Sequence, residues 1–351
     1  MKTSRFVLAV ASGLMVLASA LPISADTFQN IVNPGDPTFN QVLGINNGGQ
    51  ITGYFGSGAA GHPNQGYTAA APYSTFVNEN FPGSAQTQVT GLNNGGTTVG
   101  FWSDTNIGGG LDSNFGFVDV GGVFTSVNNP ATPATAPTFN QLLGVNDSNI
   151  AVGFYTDSAG ITHGYTFNIA TLTFSGIDDP LAVGNTTAAA INNAGEIAGF
   201  YTNAAGLFNG FIDNGGTFTT VDVAGAVDTS LLGLNNFGEA VGFEIDGAGA
   251  MHGVVCQVTA LTCSQMDDPS GIGTTAFNGV NDLGQIAGFY LDGAGNTIGL
   301  IANPGAVPEP PSLFLFGAGL LGWMGIGLYK KRFPKIVKTQ IRTVRIPPFS
   351  N

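Results

Sequence analysis

One turn-like segment recurs six times along the chain. The fragment LGINNGGQITGYF at 43–55 returns with changes at 90–102, 143–155, 189–201, 232–244 and 278–290. Each copy has an asparagine at the start of its turn, and the asparagines are spaced by 47, 53, 46, 43 and 46 residues: Asn46, Asn93, Asn146, Asn192, Asn235 and Asn281. A period of this length is typical of repeat folds, in which copies of one supersecondary unit pack against each other.

The local chemistry of each copy predicts β-strands. Asn-Asn-x-Gly or Asn-Asp-x-Gly between two apolar runs predicts a tight hairpin, because Asn and Gly tolerate a positive φ. The runs ITGYF, AVGFY and IAGFY are rich in β-branched and aromatic residues. Four short strands and three turns fit a period near 46 residues, which favours a β-propeller with four strands per blade.

Glycines and one displaced strand complete the predicted propeller. Three glycine columns recur in phase and predict close backbone approach near the central axis. The sixth copy lacks the Phe-x5-Pro segment that ends most other copies, whereas Phe28 and Pro34 have that spacing at the N-terminus. We therefore predict an all-β, six-bladed propeller-like domain closed by its N-terminal strand, which removes two exposed edges. An open β-solenoid is the alternative.

Basic and acidic residues occupy separate parts of the chain. All nine basic residues lie at or before Arg5 or at or after Lys330, and all 22 acidic residues lie between Asp26 and Glu309. The body is therefore acidic and offers no cationic side chain for phosphate, nucleic acid or Schiff-base chemistry.

The two ends predict export. Lys2, Arg5 and a short apolar run form a secretory signal, with cleavage after Ala20 or, as we prefer, after Ala25; an uncleaved anchor is the alternative. We divide the remainder into a six-repeat β domain (26–304), a linker (305–311), a transmembrane helix (312–329) and a basic cytoplasmic tail (330–351). The repeats lie near 39–85, 86–136, 137–184, 185–228, 229–273 and 274–303, with the closing strand at 27–34.

The C-terminal segment has three features in a fixed order. They are Pro308-Glu309-Pro310, an 18-residue apolar stretch long enough to span a bilayer, and the cluster Lys330, Lys331 and Arg332. This order resembles the PEP-CTERM sorting signal of Gram-negative bacteria. The resemblance implies an exosortase-type processing enzyme, an intermediate anchored in the inner membrane, and delivery to the cell surface or extracellular matrix. A plain membrane anchor would share the same physics.

The repeats also resemble the HAF-type extracellular repeat. The shared elements are the Asn-Asn-x-Gly turn, a following glycine, and a His-Gly-Phe-like element such as His163-Gly164-Tyr165. This resemblance implies an extracellular location.

Few residues suggest chemistry in the body. We expect Cys256 and Cys263 to form a disulfide across one hairpin, with two unpaired thiols as the alternative. Calcium is the most credible ligand, and its candidate residues are weak ones: Asp178, Asp179, Asp267 and Asp268. We predict no catalytic residues and no other cofactor.

These features favour a non-enzymatic surface or matrix protein with a structural role or a role in binding exopolysaccharide or protein. The exopolysaccharide would contact aromatic residues at strand ends, namely Tyr54, Trp102, Tyr155, Tyr201 and Tyr290. Packing between blades is the other interpretation of these aromatics. A secreted propeller enzyme acting on glycans is the alternative function.

The sorting signal generates the first prediction. If the tail is processed, mass spectrometry of the mature extracellular protein will find a C-terminus near Pro310. An intact Asn351 at the cell surface would contradict processing.

Overall fold

The computed structural model describes residues 26–59, 61–104, 113–134 and 137–305. Within these residues the chain forms six antiparallel sheets of four strands each. No helix in this part of the chain is long and apolar enough to cross a membrane. The predicted signal peptide, the transmembrane helix at 312–329 and the basic tail lie outside the described residues.

The sheets follow one another along the chain as blades. The first strand, β1 (Thr27–Ile31), belongs to the last blade. Blades 1 to 3 consist of β2 (Asn40–Ile45), β3 (Ile51–Phe55), β4 (Gln65–Ala69) and β5 (Phe76–Asn78); β6 (Gln86–Leu92), β7 (Thr98–Ser103), β8 (Phe115–Val120) and β9 (Val123–Val127); and β10 (Asn140–Val145), β11 (Ile150–Thr156), β12 (Thr162–Asn168) and β13 (Thr173–Ile177). Blades 4 to 6 consist of β14 (Thr186–Ile191), β15 (Ile197–Thr202), β16 (Phe208–Asn214) and β17 (Thr217–Val221); β18 (Asp228–Leu234), β19 (Glu239–Ile245), β20 (Met251–Gln257) and β21 (Thr262–Gln265); and β22 (Ala276–Val280), β23 (Ile286–Leu291) and β24 (Thr297–Asn303) with β1.

The ring closes through the N-terminal strand. β1 pairs antiparallel with β24 in the register Thr27↔Asn303 to Ile31↔Gly299, and so supplies the outermost strand of blade 6. The predicted six-bladed propeller and its closure are therefore confirmed, and the open solenoid is wrong. The closing strand is shorter than the predicted 27–34 segment because the chain turns after Ile31.

The meander within each blade defines two faces. The turn between the first and second strands and the turn between the third and fourth strands lie at one end, which we call the ring face. In blade 3, for example, the backbone N–H of Ile169 donates to the carbonyl of Asn149 across these two turns. The turns between the second and third strands and the connections between blades lie at the opposite end, which we call the loop face.

The glycine column on the second strands is imposed by a bulge in the first strand. In every blade the register shifts at the residue three positions before the turn asparagine, as between Leu231 and Gly233 in blade 5. This bulge brings a first-strand carbonyl against the second strand. A Cβ added at Gly242 would lie 1.9 Å from the Ser230 carbonyl oxygen, and the other five blades have equivalent values of 2.0 to 2.3 Å. Glycine is therefore required by close approach.

A second glycine column lies where the innermost strands of adjacent blades meet at the axis. A Cβ on Gly233 would lie 2.9 Å from Cα of Gly279, and one on Gly279 would lie 3.2 Å from Cα of Gly44. Blade 4 has Ala190 at this position. The predicted crowding near the axis is therefore present.

In five of the six blades the fourth-strand residue that faces the next blade is apolar. On the fourth strands, the residue facing the next blade is Ile31, Val127, Ile177, Val221 or Met266, but blade 1 has Glu79. The Glu79 carboxylate accepts a hydrogen bond of 2.7 Å from the Thr98 hydroxyl and faces the buried carboxyl of Asp119. Desolvation and the nearby Asp119 raise the pKa of Glu79 to about 7, although the bond from Thr98 lowers it. Blades 1 and 2 therefore meet at a carboxyl pair.

The close approach of Gly242 to the Ser230 carbonyl predicts that one added methyl group will strongly lower the stability of the protein. Gly242→Ala should lower the free energy of unfolding by about 3 kcal/mol, because the bulged strand must move to admit the Cβ. Gly247→Ala is the matched control, since its Cβ would meet nothing within 4 Å. Urea denaturation should show a change below about 0.5 kcal/mol for the control. Equal stabilities of the two variants would contradict the assigned bulge geometry.

The carboxyl pair predicts a pH dependence of stability. With a pKa of about 7 in the folded protein and 4.5 as its ordinary value, Glu79 binds more protons folded than unfolded between these pH values. Its contribution to the free energy of unfolding is thus fully present below pH 4.5 and is lost as the pH rises through 7.

Glu79→Gln should remove this component, which denaturation measured from pH 4 to 8 will test. Asp104→Asn changes an exposed carboxyl of blade 2 and serves as the control. An unchanged pH profile for Glu79→Gln would contradict the raised pKa of Glu79.

Candidate functional site

The repeated turns build a closed ring of hydrogen bonds on the ring face. The Nδ2 group of each first turn asparagine donates to the backbone carbonyl of the corresponding asparagine in the next blade, at 2.9 to 3.3 Å. The last of these bonds runs from Asn281 back to Asn46. The Oδ1 atom of Asn46 also accepts the N–H groups of Gly48 and Gln50, which closes its own turn. The same asparagine side chain therefore stabilises its own turn and the contact with the next blade.

The second turn residues form another closed ring nearer the surface. Each backbone N–H donates to the side-chain oxygen of the equivalent residue in the next blade, at 2.7 to 2.9 Å. The members of this ring are Asn47, Asn94, Asp147, Asn193, Asn236 and Asp282. Asn and Asp both supply the side-chain oxygen for this bond, so the turn motif also joins neighbouring blades, a role that its turn chemistry did not predict.

The two aspartates stand at opposite positions of this outer ring. Asp147 accepts Nδ2 bonds from Asn94 and Asn193, and Asp282 accepts them from Asn236 and Asn47. Desolvation by itself would raise the pKa of both carboxyls, but these amide bonds outweigh it, so both pKa values are lowered. The opening that the rings surround measures only about 70 Å³. Its donors and acceptors are used within the ring, and we assign it no ligand.

Histidines brace two turns on the loop face. His163 Nδ1 lies 3.0 Å from the Asp178 carboxylate, and its Nε2 lies 3.4 Å from that of Asp157. His252 makes the same contacts in blade 5, with Asp267 at 2.7 Å. Hydrogen bonding to Asp267 raises the pKa of His252; at His163 desolvation opposes but does not cancel the rise in pKa caused by the two aspartates.

The four calcium candidates do not converge. Asp178 and Asp267 each contact a histidine, whereas Asp179 and Asp268 accept backbone N–H groups of Leu181 and Ser270 in their own loops. Within the described residues no group of three or more His, Cys, Asp or Glu side chains is arranged to hold a metal ion. The positions that sequence analysis paired are used as turn caps and braces.

The strand-end aromatics pack between and within blades. Tyr54, Tyr201 and Tyr290 are buried. Trp102 stacks on Phe81 with ring centroids 4.5 Å apart, and Tyr155 stacks on His163 at 5.2 Å. Their geometry therefore favours the packing interpretation over sugar contact.

A polar cavity of about 210 Å³ opens on the loop face at blades 1 to 3. Its polar lining consists of amides and one hydroxyl, and Phe101 forms an aromatic part of the wall: Asn64, Gln86, Gln88, Ser103, Asn114 and Gln141. Gln141 Nε2 donates to Asn114 Oδ1 at 2.7 Å, and Gln86 Oε1 accepts the N–H of Asn64 at 3.2 Å. These bonds orient the amides around the cavity.

One amide of the cavity lining has a side-chain oxygen that accepts no hydrogen bond from the described residues. Asn64 Oδ1 is buried and makes no hydrogen bond within the described residues. A buried acceptor of this kind is costly unless water or a ligand satisfies it. The amide-rich lining around an open space makes the cavity the best candidate for a ligand site in the described part of the chain.

The repeat pattern does not predict this cavity, although the sequence contains a signal for it. Five residues before the turn asparagine, blades 1 to 3 have Gln41, Gln88 and Gln141, whereas blades 4 to 6 have Thr187, Ser230 and Ala276. Blades 1 and 2, in which the connection between the second and third strands is longer than in the other blades, flank the cavity. The cavity is thus indicated by the positions at which blades 1 to 3 differ from the other blades, and not by the residues that all six repeats share.

The remaining predicted positions have separate locations. Cys256 and Cys263 lie opposite each other in the β20–β21 register, with Cα atoms 4.0 Å apart, and are joined by a disulfide. The sorting residues lie outside the described residues: Pro308, Glu309, Pro310, Lys330, Lys331 and Arg332.

Comparisons with known proteins identify the tail and the fold. The PEP-CTERM protein-sorting motif matches residues 306–330. No curated protein matches the sequence. The putative TolB from Agrobacterium tumefaciens has a similar structure at 10% identity and a TM-score of 0.51, over 80% of this chain and 99% of that one.

Two further structures are similar with lower scores. The Aleuria aurantia lectin, solved as a mutant in complex with Fucα1-6GlcNAc, has 10% identity and a TM-score of 0.48 over 78% of this chain and 98% of that one. A Hadza microbial sialidase has 13% identity and a TM-score of 0.49 over 78% and 68%. At these identities the likeness concerns the fold alone.

The motif is a substrate signal for exosortase-type processing, and it implies export through a membrane-anchored intermediate. The resemblance of the repeats to the HAF type stays a prediction. The chain is thus an exported six-bladed propeller that carries a PEP-CTERM sorting motif.

Proposed function

We propose that the protein is a non-enzymatic component of the cell surface or extracellular matrix, and that its loop-face cavity binds a neutral exopolysaccharide. The observation that carries the proposal is the lining of that cavity by amide side chains beside Phe101. Amides both donate and accept hydrogen bonds, as sugar hydroxyls require. An aromatic face packs against the apolar side of a sugar ring.

Charge selects the class of polysaccharide. The body has no Lys or Arg and carries nearly all of the acidic residues of a chain with net charge −13. Uronic acids, sulfate and other anionic groups would be repelled. A neutral glycan is therefore the ligand that suits this surface.

The alternative is a secreted enzyme acting on glycans. Glycosidases generally need two carboxyl groups flanking the scissile bond. The structure does contain a carboxyl pair that the sequence pattern did not reveal, Glu79 and Asp119, but it lies between blades and Asp119 is buried. The described lining of the cavity has no carboxylate. These observations favour binding over turnover.

Affinity electrophoresis of the purified protein in the producing strain's own neutral polysaccharide tests the proposal. Gln88→Leu should weaken retention roughly tenfold, because an amide lost from a ligand site costs on the order of 1 to 2 kcal/mol. Gln41→Leu changes the same strand position in blade 1, outside the cavity, and should retain the polysaccharide normally.

Absence of retention, or equal loss in both variants, would contradict the proposed site. Turnover of a glycan panel that Glu79→Gln abolishes would favour the enzyme instead.

A further inference from the structure

We propose that the ring face at blades 5 and 6 docks on a zwitterionic lipid bilayer while the chain is anchored by its tail. In this orientation Phe237 and Leu283, at adjacent turn tips, enter the headgroup region. The inference is independent of the proposed polysaccharide binding, since it concerns the opposite face and the anchored intermediate that the sorting motif implies.

The turn tips of blades 5 and 6 differ from those of the other blades. The third turn position holds Phe237 and Leu283 there, which are 75% and 71% exposed. The other four blades have small residues at this position: Gly48, Gly95, Ser148 and Ala194. The turn needs no bulky side chain, so the folding of the repeat does not explain these two. Large apolar groups exposed side by side typically mark an interaction surface.

Two outer turns of the same face also expose a leucine, one in blade 5 beside the proposed patch and one in blade 3 on the other side of the ring. Leu172 and Leu261 occupy left-handed conformations, with φ of 56° and 51°, and are 66% and 53% exposed. Blades 2 and 4 have Gly-Gly at their corresponding turns. A branched apolar residue is disfavoured at such a φ, where glycine is free of strain. Apolar exposure on this face is thus maintained against local backbone preference.

The path of the chain identifies the occupant. β24 ends at Asn303 and β1 begins at Thr27, and the two residues pair at the ring-face end of blade 6. The Asn303 Oδ1 atom accepts a hydrogen bond from Gln285, which lies in the ring-face turn of the same blade. The segment that carries the sorting motif therefore leaves the propeller on this face.

The segment between the propeller and the apolar stretch of the tail is short. Only residues 304–311 separate Asn303 from the apolar stretch that begins at Ser312. Eight extended residues span about 26 to 29 Å. A propeller held this close to the bilayer turns its ring face toward the lipid far more often than a free propeller would, because its tail departs from that face. The exposed apolar side chains at the turn tips can then enter the headgroup region.

Charge decides between lipid types. The carboxylates of Asp147 and Asp282 lie in the outer ring of the same face, and both have lowered pKa values. With no Lys or Arg in the body, attraction to anionic headgroups is not available. Phosphatidylcholine or phosphatidylethanolamine should therefore support docking, and phosphatidylglycerol should weaken it at low salt.

The test uses the full chain inserted by its tail into phosphatidylcholine vesicles. Phe237→Cys is labelled with a fluorophore, which is selective because both native cysteines are in a disulfide. Brominated lipids should quench this label about threefold more than one at Ile272→Cys, because interfacial apolar groups lie ~5 to 10 Å into the headgroup boundary. Ile272 is 72% exposed on the loop face and is therefore a matched control.

Each result decides the proposal. Greater quenching at 237 than at 272, reduced in phosphatidylglycerol and restored by salt, supports docking. Equal quenching at both positions, or none at 237, would overturn it. The label at 237 could instead become shielded from solvent as protein density rises, without quenching by brominated lipid. That result would show that a second copy of the chain covers the patch, and it would also overturn the proposal. Thermal unfolding of both labelled proteins excludes misfolding as the cause.

Discussion

The amide ring at the axis is the interaction on which the remaining architecture depends. Each of the six asparagine side chains accepts backbone N–H groups of its own turn and donates to a backbone carbonyl of the next blade. The geometry of each turn is therefore tied to the position of the neighbouring blade. Because the last donor reaches the first acceptor, the ring has no unpaired end. Buried amides of this kind are favourable only when all partners are present. The ring therefore couples local turn geometry to the number of blades.

The absence of cationic residues explains why neutral hydrogen bonds have this role. A folded body without Lys or Arg cannot balance its carboxylates with ordinary ion pairs, and the ion pairs recorded in the described residues involve only histidines. Asp147 and Asp282 are instead stabilised by asparagine amides on both sides. Acidic charge is thus accommodated by dipoles rather than by counter-charges.

On the loop face the propeller is regular in blades 3 to 6 and departs from its own pattern in blades 1 and 2. Glu79 replaces the apolar residue that other blades place at their contacts, and the loops between second and third strands are extended there. The polar cavity lies beside those extended loops. The opposite face departs from regularity in blades 5 and 6 through Phe237 and Leu283. Structural repetition supplies the scaffold, and local departures from it supply two distinct surfaces.

The sequence by itself determined the blade count, the strand content, the closure by the N-terminal strand and the sorting motif. All of these follow from spacing along the chain, because turn residues, strand period and a tail motif are local properties. Only the tertiary structure decided which side chains meet across blades. Glu79 and Asp119 are 40 residues apart in sequence, and the cavity draws on three blades. The same turn asparagine that the sequence identified as a hairpin residue became a contact between blades only once the ring closed. Such pairings depend on the angle and distance between neighbouring sheets, which no local pattern encodes.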